Sequence, residues 1–475
     1  MRECFDDRTT QKPIRGTLGK KACLVLVLIL GAMGSLPLVI LTPPFQVPDE
    51  VQHFYRAYEL SEFRIRSEVQ NGVAGASLPE SLPRLVKSSV YTKDEIFYPA
   101  TPAPLTKTLS QASIPLDGSK TQFVEFPGSA FYSPLPYLPQ ILGIAVGRAI
   151  GLGPLYLLYL GRLFNCLAAL GLIGLAVKSI PAAEELVILV GLLPMSLFLF
   201  ASLSPDAAVI ACALLFSALS FSASTRGNWR TWELVTAAAT AVVFCSVKPV
   251  YAPLLLAGVV PGVFQHDKAA KAIRSHAVLL VIALGVTAGW LLFVKSSMTT
   301  PLDGTHPSVQ ISLLLHHPLS FMHVLVNTLG IIRIIKFYAQ TVGIFGWLTV
   351  PLQPWVVYLL PLVSMVIVWN FGSRGIVKRS ISHGLWCFAL AFASAFLIFV
   401  ALYLMWGHAG QSHVIAVQGR YFLPILILAG IAVLRFTPDR KPSAPKWLSF
   451  VSIAGITIVQ MAAMDTTIIR VFHVF

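Results

Sequence analysis

Charge is what this sequence has least of. Only 12% of its 475 residues are Asp, Glu, Lys or Arg, while 56% are hydrophobic and the mean hydropathy is +0.74. Soluble domains carry about twice that share of charge, and none stays soluble with so much apolar surface. The composition therefore predicts a polytopic membrane protein with the lipid bilayer as a partner. Cysteine is equally thin: Cys4, Cys23, Cys166, Cys212, Cys245 and Cys387 lie in the N-terminal tail or in apolar segments. No Cys/Cys or Cys/His spacing suits a metal, and no disulfide framework can form in the long polar stretches. His316, His317 and His323 are too loosely spaced for ligation and read as interfacial histidines. Internal repeats are absent, as are low-complexity tracts beyond a linker-like PDRKPSAPK stretch at 438–446. The net charge of +14 does not point to nucleic acid. Its basic residues are scattered between apolar runs, as topology and anionic lipid require.

Residues 1–21 form a polar, basic tail, and the run 22–41 is long enough to span. No small-residue cleavage site follows it, so it reads as an uncleaved signal anchor with a cytoplasmic N-terminus. The stretch 42–153 is polar and proline-rich, a large external loop. Further apolar runs follow at 154–177, 186–203, 207–224, 232–247, 252–264, 277–294, 354–371, 386–406, 421–434 and 447–463. One segment, FYSPLPYLPQILGIAVGRAIG at 131–151, is also apolar enough to span, and it decides the side of everything after it. If it does not span, the cytoplasmic loops hold Lys178, Arg226, Arg230, Lys268, Lys271, Arg274, Arg374, Lys378, Arg379, Arg435, Arg440, Lys441 and Lys446. The short external loops then hold only Lys248 and Arg420, with Arg470 in the tail. If it does span, the ratio inverts against the positive-inside rule. Residues 131–151 are therefore expected to be interfacial or re-entrant, broken by Pro134, Pro136 and Pro139.

This gives an all-α polytopic membrane protein with about eleven transmembrane helices and two large external loops carrying juxtamembrane helices. Its parts are a tail (1–21), a transmembrane module (22–294) that includes the loop 42–153, a second external loop (295–353) and C-terminal transmembrane helices (354–475). In the second loop LSFMHVLVNTLGIIRIIKFYAQ, at 319–340, is apolar but interrupted by Arg333 and Lys336. It reads as a surface-lying amphipathic helix.

The chain is organised around LTPPFQVPDEVQHFYRAYELSEF, residues 41–63. Pro43 and Pro44 stop the first helix, and Pro48 suits the first position of a new one, with Asp49 and Glu50 in its first turn. Two carboxylates there are either dipole-matched first-turn residues, worth up to about 1 kcal/mol, or a base at the membrane surface. Neighbours in a helix point about 100° apart, so only one faces a given site. Asp49 shares a face with His53 and Arg56, which favours Asp49. At the other external helix ends stand Arg162 and Asn165 (RLFN), Asp206 (LSPDA), Lys248 and Tyr251 (KPVY), and Gln418, Arg420 and Tyr421 (QGRYFLP). Each charge has a structural alternative: snorkelling for Arg162, interfacial anchoring for Lys248 and Arg420, a helix start for Asp206. Together, three carboxylates and three cations on one face point to an anionic ligand and an acid–base step.

In this order PPFQVPDEVQHFYRAY, RLFN, LSPDA, KPVY and GRYFLP resemble a bacterial membrane family catalogued as domain of unknown function 2142, over about residues 22 to 463. That family in turn resembles the GT-C glycosyltransferases. The resemblance implies an acidic residue in the first external loop (Asp49 or Glu50) and a second one between spans three and four (Asp206). It also implies juxtamembrane helices opened by YSPLPYLP, residues 132–139. Such enzymes take a sugar from a polyprenyl-phosphate donor on the external leaflet of the inner membrane and pass it to a glycan or protein acceptor. An O-antigen-type envelope glycan and inversion at the sugar are the expectations here. By resemblance Asp49 or Glu50 is the base and Asp206 orients the acceptor or Arg162. Arg162, Lys248 and Arg420 hold the donor phosphate, and His53, Arg56, Asn165, Tyr251, Gln418 and Tyr421 line the substrates. Asp206 stands without a paired DxD, so no cofactor is expected and a divalent metal is not favoured.

Two other classes remain. A transporter or flippase of lipid-linked glycans needs ionisable groups near mid-helix, in which these runs are poor. A polymerase is expected to have arginine-rich loops, whereas Lys295, Arg333 and Lys336 are the only Lys or Arg of the second loop. A scaffold role is the remaining alternative.

Overall fold

A computed structural model describes residues 20–89, 105–180, 183–260, 269–298, 307–372, 380–408, 411–437 and 447–472. The N-terminal tail and the 438–446 linker thus fall outside the described residues, apart from Lys20 and Lys21. The chain is mostly helical. Helix α1 (Lys20–Leu41) ends where Pro43 and Pro44 remove two backbone donors. It is followed by α2 (Glu50–Ser61), which is buried along its whole length.

The polar stretch 42–153 folds around a core of its own. Strands β1 (Glu68–Gln70), β2 (Val73–Pro79) and β3 (Thr121–Glu125) form an antiparallel sheet in the order β1-β2-β3. Asn71 (φ 51°) and Gly72 (φ 80°) make the tight turn between the first two strands. Helix α3 (Ser81–Ser89) lies beside the sheet, α4 (Leu105–Ser110) packs on α3, and α5 (Leu138–Ala149) packs on α2. Phe54, Tyr55, Leu78, Leu82, Phe126 and Tyr137 fill the space between them. The all-α expectation therefore needs this small sheet added. Gly75 is required where β2 meets β3, because a Cβ there would come 2.1 Å from the Val124 carbonyl.

Helix α5 has 12 residues. At 1.5 Å per residue it reaches about 18 Å, well short of the roughly 30 Å hydrocarbon layer. Leu138, Leu142, Val146 and Ile150 form an exposed apolar stripe at i, i+4, i+8 and i+12. Among the described residues α5 is not one of the helices long and apolar enough to cross a membrane.

The bundle continues with α6 (Pro154–Ser179), α7 (Glu184–Gly191), α8 (Pro194–Phe200), α9 (Asp206–Arg226) and α10 (Thr231–Val247). A 3-10 stretch (Pro249–Leu256) and α11 (Ala269–Phe293) come next. Helices α12 (Pro307–His316), α13 (Pro318–Thr328) and α14 (Ile331–Gly343) lead through a short hairpin, β4 (Ile344–Phe345) and β5 (Val350–Pro351). The chain ends with α15 (Pro354–Gly372), α16 (Ile381–Trp406), α17 (Leu423–Phe436) and α18 (Trp447–Phe472). At the centre stands α9, inside the protein over its whole apolar length, with α6, α10 and α17 against it.

Among the described residues six helices are long and apolar enough to cross a membrane: α1, α6, α9, α11, α16 and α17 with its preceding turn. The pair α12–α13, bent by 106°, would make a seventh. Eleven apolar runs thus do not give eleven continuous helices, and proline is the main reason. The run 186–203 is divided by Pro194, which holds Leu193 extended (ψ 142°) and leaves two short helices. The described part of run 252–264 is largely the 3-10 stretch containing Pro253. The helix expected over 319–340 is likewise two, α13 and α14, parted at Gly330. There Arg333 turns back to the Asn327 carbonyl at 2.6 Å.

Candidate active site at one end of the bundle

The helix ends sort by charge. At one end stand Asp49 just before α2, Asp206 opening α9, Lys248 closing α10, and Arg420 in the 3-10 turn Gly419–Phe422 that opens α17. Lys178, Arg226, Arg230, Lys271, Arg274 and Arg435 mark the opposite ends. Lys268, Arg374, Lys378, Arg379, Arg440, Lys441 and Lys446 lie outside the described residues.

The first four form a chain of alternating sign. Arg420 Nη2 donates to Asp49 Oδ2 at 2.9 Å, and its Nε lies 3.6 Å from Asp206 Oδ2. Asp206 Oδ1 in turn accepts from Lys248 Nζ. Tyr421 lies beneath both cations, its ring centroid 4.4 Å from Lys248 Nζ and 5.3 Å from the Arg420 guanidinium carbon. Tyr251, expected to touch substrate, is buried and donates its hydroxyl to the Tyr421 carbonyl at 2.8 Å. Its place is to fix Tyr421. Gln418 is half-buried, with a buried side-chain oxygen that accepts no hydrogen bond.

Two members are chemically open. The Asp49 side chain is 41% exposed, against 9% for Asp206. Arg420 is buried, yet among the described residues only one of its five N–H donors makes a hydrogen bond. A buried guanidinium with donors to spare is a seat for an oxyanion.

Glu50 and Arg162 are the contrast. Helix α2 begins at Glu50, not at Pro48, and Asp49 precedes it in the left-handed region (φ 66°, ψ 5°). That backbone twist sends the two neighbouring carboxylates to different places. Glu50 is fully buried and accepts from Arg162 Nε (2.8 Å), Arg162 Nη2 (2.5 Å) and the N–H groups of Phe45 (3.1 Å) and Leu203 (3.2 Å). Arg162 spends its remaining donors on the carbonyls of Val39, Thr42 and Pro43. Both groups are saturated. Arg162, expected to meet the donor phosphate, has nothing left to give it, and Glu50 has no lone pair open to an acceptor hydroxyl. Together they tie the end of α1 to α6 and α9.

Arg56 also leaves the site. It is buried, pairs with Glu59 at 2.5 Å, and donates to Ser67 and to the carbonyls of Ile65 and Tyr132. The shared face with Asp49 is lost because Asp49 is not helical. Asn165 is likewise structural, donating to the carbonyls of Ser202 (2.7 Å) and Ser204 (3.4 Å) ahead of Asp206.

His53 does stay at the site. Its Nδ1 is 2.7 Å from the Tyr137 hydroxyl, and its ring is nearly parallel to Tyr132, 6.0 Å away. Burial pushes its pKa down to about 4, against the pull of Asp49 and Asp206, so the ring is neutral at physiological pH. A depressed histidine pKa gives stability that is complete above about pH 6.5 and drains away as pH falls to about 4. The loss is about 3 kcal/mol. Thermal unfolding in detergent at pH 7.5 and pH 4.5 is expected to show that fall in wild type and a smaller one in His53→Gln.

Sequence reasoning missed Tyr132 and Tyr137 as site residues, although both lie in the Pro-aromatic stretch that opens α5. It also missed Gln340 and Thr341 of α14. Gln340 Oε1 accepts from the Gly419 N–H at 2.9 Å, and Thr341 Oγ1 donates to the Gly419 carbonyl at 2.9 Å. A Cβ at Gly419 would come 2.3 Å from the Phe337 carbonyl, so only glycine lets Arg420 be carried this close to α14. Among the described residues no group of three His, Cys, Asp or Glu side chains could hold a metal ion.

These features define a multi-pass helical membrane protein with a charged site at one end of its bundle. Residues 33–429 match the model of a family described as predicted membrane protein, DUF2142, and the chain belongs to that family. No curated protein and no solved structure matches it.

Proposed function

We propose that the protein is a GT-C-type glycosyltransferase of the bacterial inner membrane. It moves a sugar from a polyprenyl phosphate to an O-antigen-type envelope glycan at the external face. One observation carries the reading: an open carboxylate, Asp49, sits beside a buried arginine, Arg420, that has most of its donors unspent. The acceptor hydroxyl gives its proton to Asp49 as its oxygen attacks the anomeric carbon from the side opposite the phosphate. The bond from that carbon to the phosphate oxygen breaks, the sugar inverts, and the phosphate takes up the electron pair. Arg420 and Lys248 meet the charge that develops there. Asp206 holds both cations in register, and His53 with Tyr132 offers a neutral polar and aromatic wall to a sugar ring. Arg162 and Glu50 act only on the fold.

The sorting of charge between the two ends supports an external site by the positive-inside rule. In this reading the short and proline-broken helices enter the membrane beside the six long ones, toward the eleven-span arrangement. The apolar stripe of α5 and the exposed Ile331, Ile332 and Ile335 of α14 give the isoprenoid a flank to lie along. A transporter is disfavoured because the four charges stand at helix ends, not at mid-helix.

Native mass spectrometry of purified protein with a C55 polyprenyl phosphate tests the donor half. One lipid is expected to stay bound to wild type and to be lost from Arg420→Gln/Lys248→Gln. Equal retention by that variant, or none by wild type, contradicts the reading. Gly419→Ala is expected to displace Arg420 and lower transfer on the order of 10²-fold, as misplacement by an ångström does. A normal transfer rate at normal protein level would show that the close approach to α14 does not position Arg420.

A further inference from the structure

The folded external loop has a second polar concavity, separate from the site above. A cleft of about 680 Å³ is bounded by α3, α4 and β3, and carries Arg84, Lys87, Lys107 and Lys120 against Glu80 and Asp117. Asp117 is occupied within its own turn, accepting from the Ser119 N–H at 2.8 Å and from its hydroxyl at 2.6 Å. Helix α3 buries Leu82, Leu85 and Val86 and turns Arg84 and Lys87, one helical turn apart, to the open side.

Elsewhere in this layer Arg56 pairs with Glu59, and Arg64 and Arg148 pair with Glu62, while Arg66 donates to the Ser296 hydroxyl. Among the described residues Arg84, Lys87 and Lys120 make no ion pair, and all three are exposed on one cleft.

We infer that this cleft binds an acidic polysaccharide, whose carboxylates or phosphates recur along an extended chain. Arg84 and Lys87 come from α3, Lys107 from α4 and Lys120 from the residue preceding β3, so the positive charge lines three walls of the cleft, which suits charges borne on separate units of one chain. Ile114 and Pro115 supply an apolar ledge for the C–H faces of sugar rings. None of the lining residues is a large exposed apolar side chain of the kind an acyl chain would need, which argues against a lipid headgroup. The inference does not rest on the transferase reading, because binding is read without turnover.

The test is binding of a fluorescent oligogalacturonate to the purified full chain in neutral detergent, with a neutral dextran oligomer of equal length as comparison. The acidic oligomer is expected to bind wild type and Asp49→Asn alike. Arg84→Gln/Lys87→Gln/Lys120→Gln should bind it at least tenfold more weakly while unfolding at the wild-type temperature. The dextran should bind neither. Binding that survives the triple substitution, equal binding of dextran, or no binding to wild type overturns the inference. So does a triple variant that loses affinity only for phosphatidylglycerol vesicles, since the cleft would then serve a lipid headgroup.

Discussion

Asp49→Asn is expected to lower sugar transfer by about 10²–10⁴-fold, the usual contribution of a general base, in a protein that inserts at the wild-type level. The substitution keeps the size of the side chain and removes its capacity to take a proton. It leaves no buried charge stranded, because Asp49 is partly open to solvent and Arg420 retains Asp206 nearby. Activity and fold should therefore separate cleanly at this residue. The check is transfer per unit of protein in isolated membranes, with wild type and Asp49→Asn matched by immunoblot. A rate within a few-fold of wild type would remove Asp49 from the chemistry.

Arg162→Ala should do the opposite, striking the fold first. It strands the Glu50 carboxylate, which has no exposure at all, and takes the donors from three carbonyls at the end of α1. Breaking a buried pair from one side costs about 3–5 kcal/mol, a large part of the roughly 5–15 kcal/mol by which a domain is stable. The variant is expected to accumulate poorly and to unfold at a much lower temperature in detergent. Glu50→Gln should behave alike, since the buried guanidinium then lacks its counter-charge. The double variant Glu50→Leu/Arg162→Met should recover part of the loss, because no charge is left buried and unpaired. A stable, inactive Arg162→Ala protein would instead place that arginine in the site.

The contrast between these residues marks what could be read from sequence. Hydropathy and the distribution of Lys and Arg were enough to place 131–151 outside the span count, and α5 is indeed too short to cross. The same topology gathered Asp49, Asp206, Lys248 and Arg420, which do meet. Sequence could not separate Arg420 from Arg162, because both are arginines near a helix end on the same side. Only the fold reveals that one has five donors engaged and the other one. The pairing of Glu50 with Arg162 spans 112 positions and leaves no local trace. The left-handed turn at Asp49 was hidden for another reason: Val-Pro-Asp-Glu reads as an ordinary helix start, and Asp tolerates that conformation without glycine to announce it. The sheet, in contrast, had a signal. Asn71-Gly72 between SEVQ and VAGASLP is a two-residue hairpin turn, overlooked because the whole stretch reads as polar loop.

The most direct test of the proposed transfer is mass spectrometry of the envelope glycan from a strain lacking the gene. The glycan should lose the mass of one sugar unit, regain it with wild type, and fail to regain it with Asp49→Asn at equal protein level. A glycan unchanged by the deletion, or fully restored by Asp49→Asn, would contradict the assignment of this end of the bundle as a transferase site.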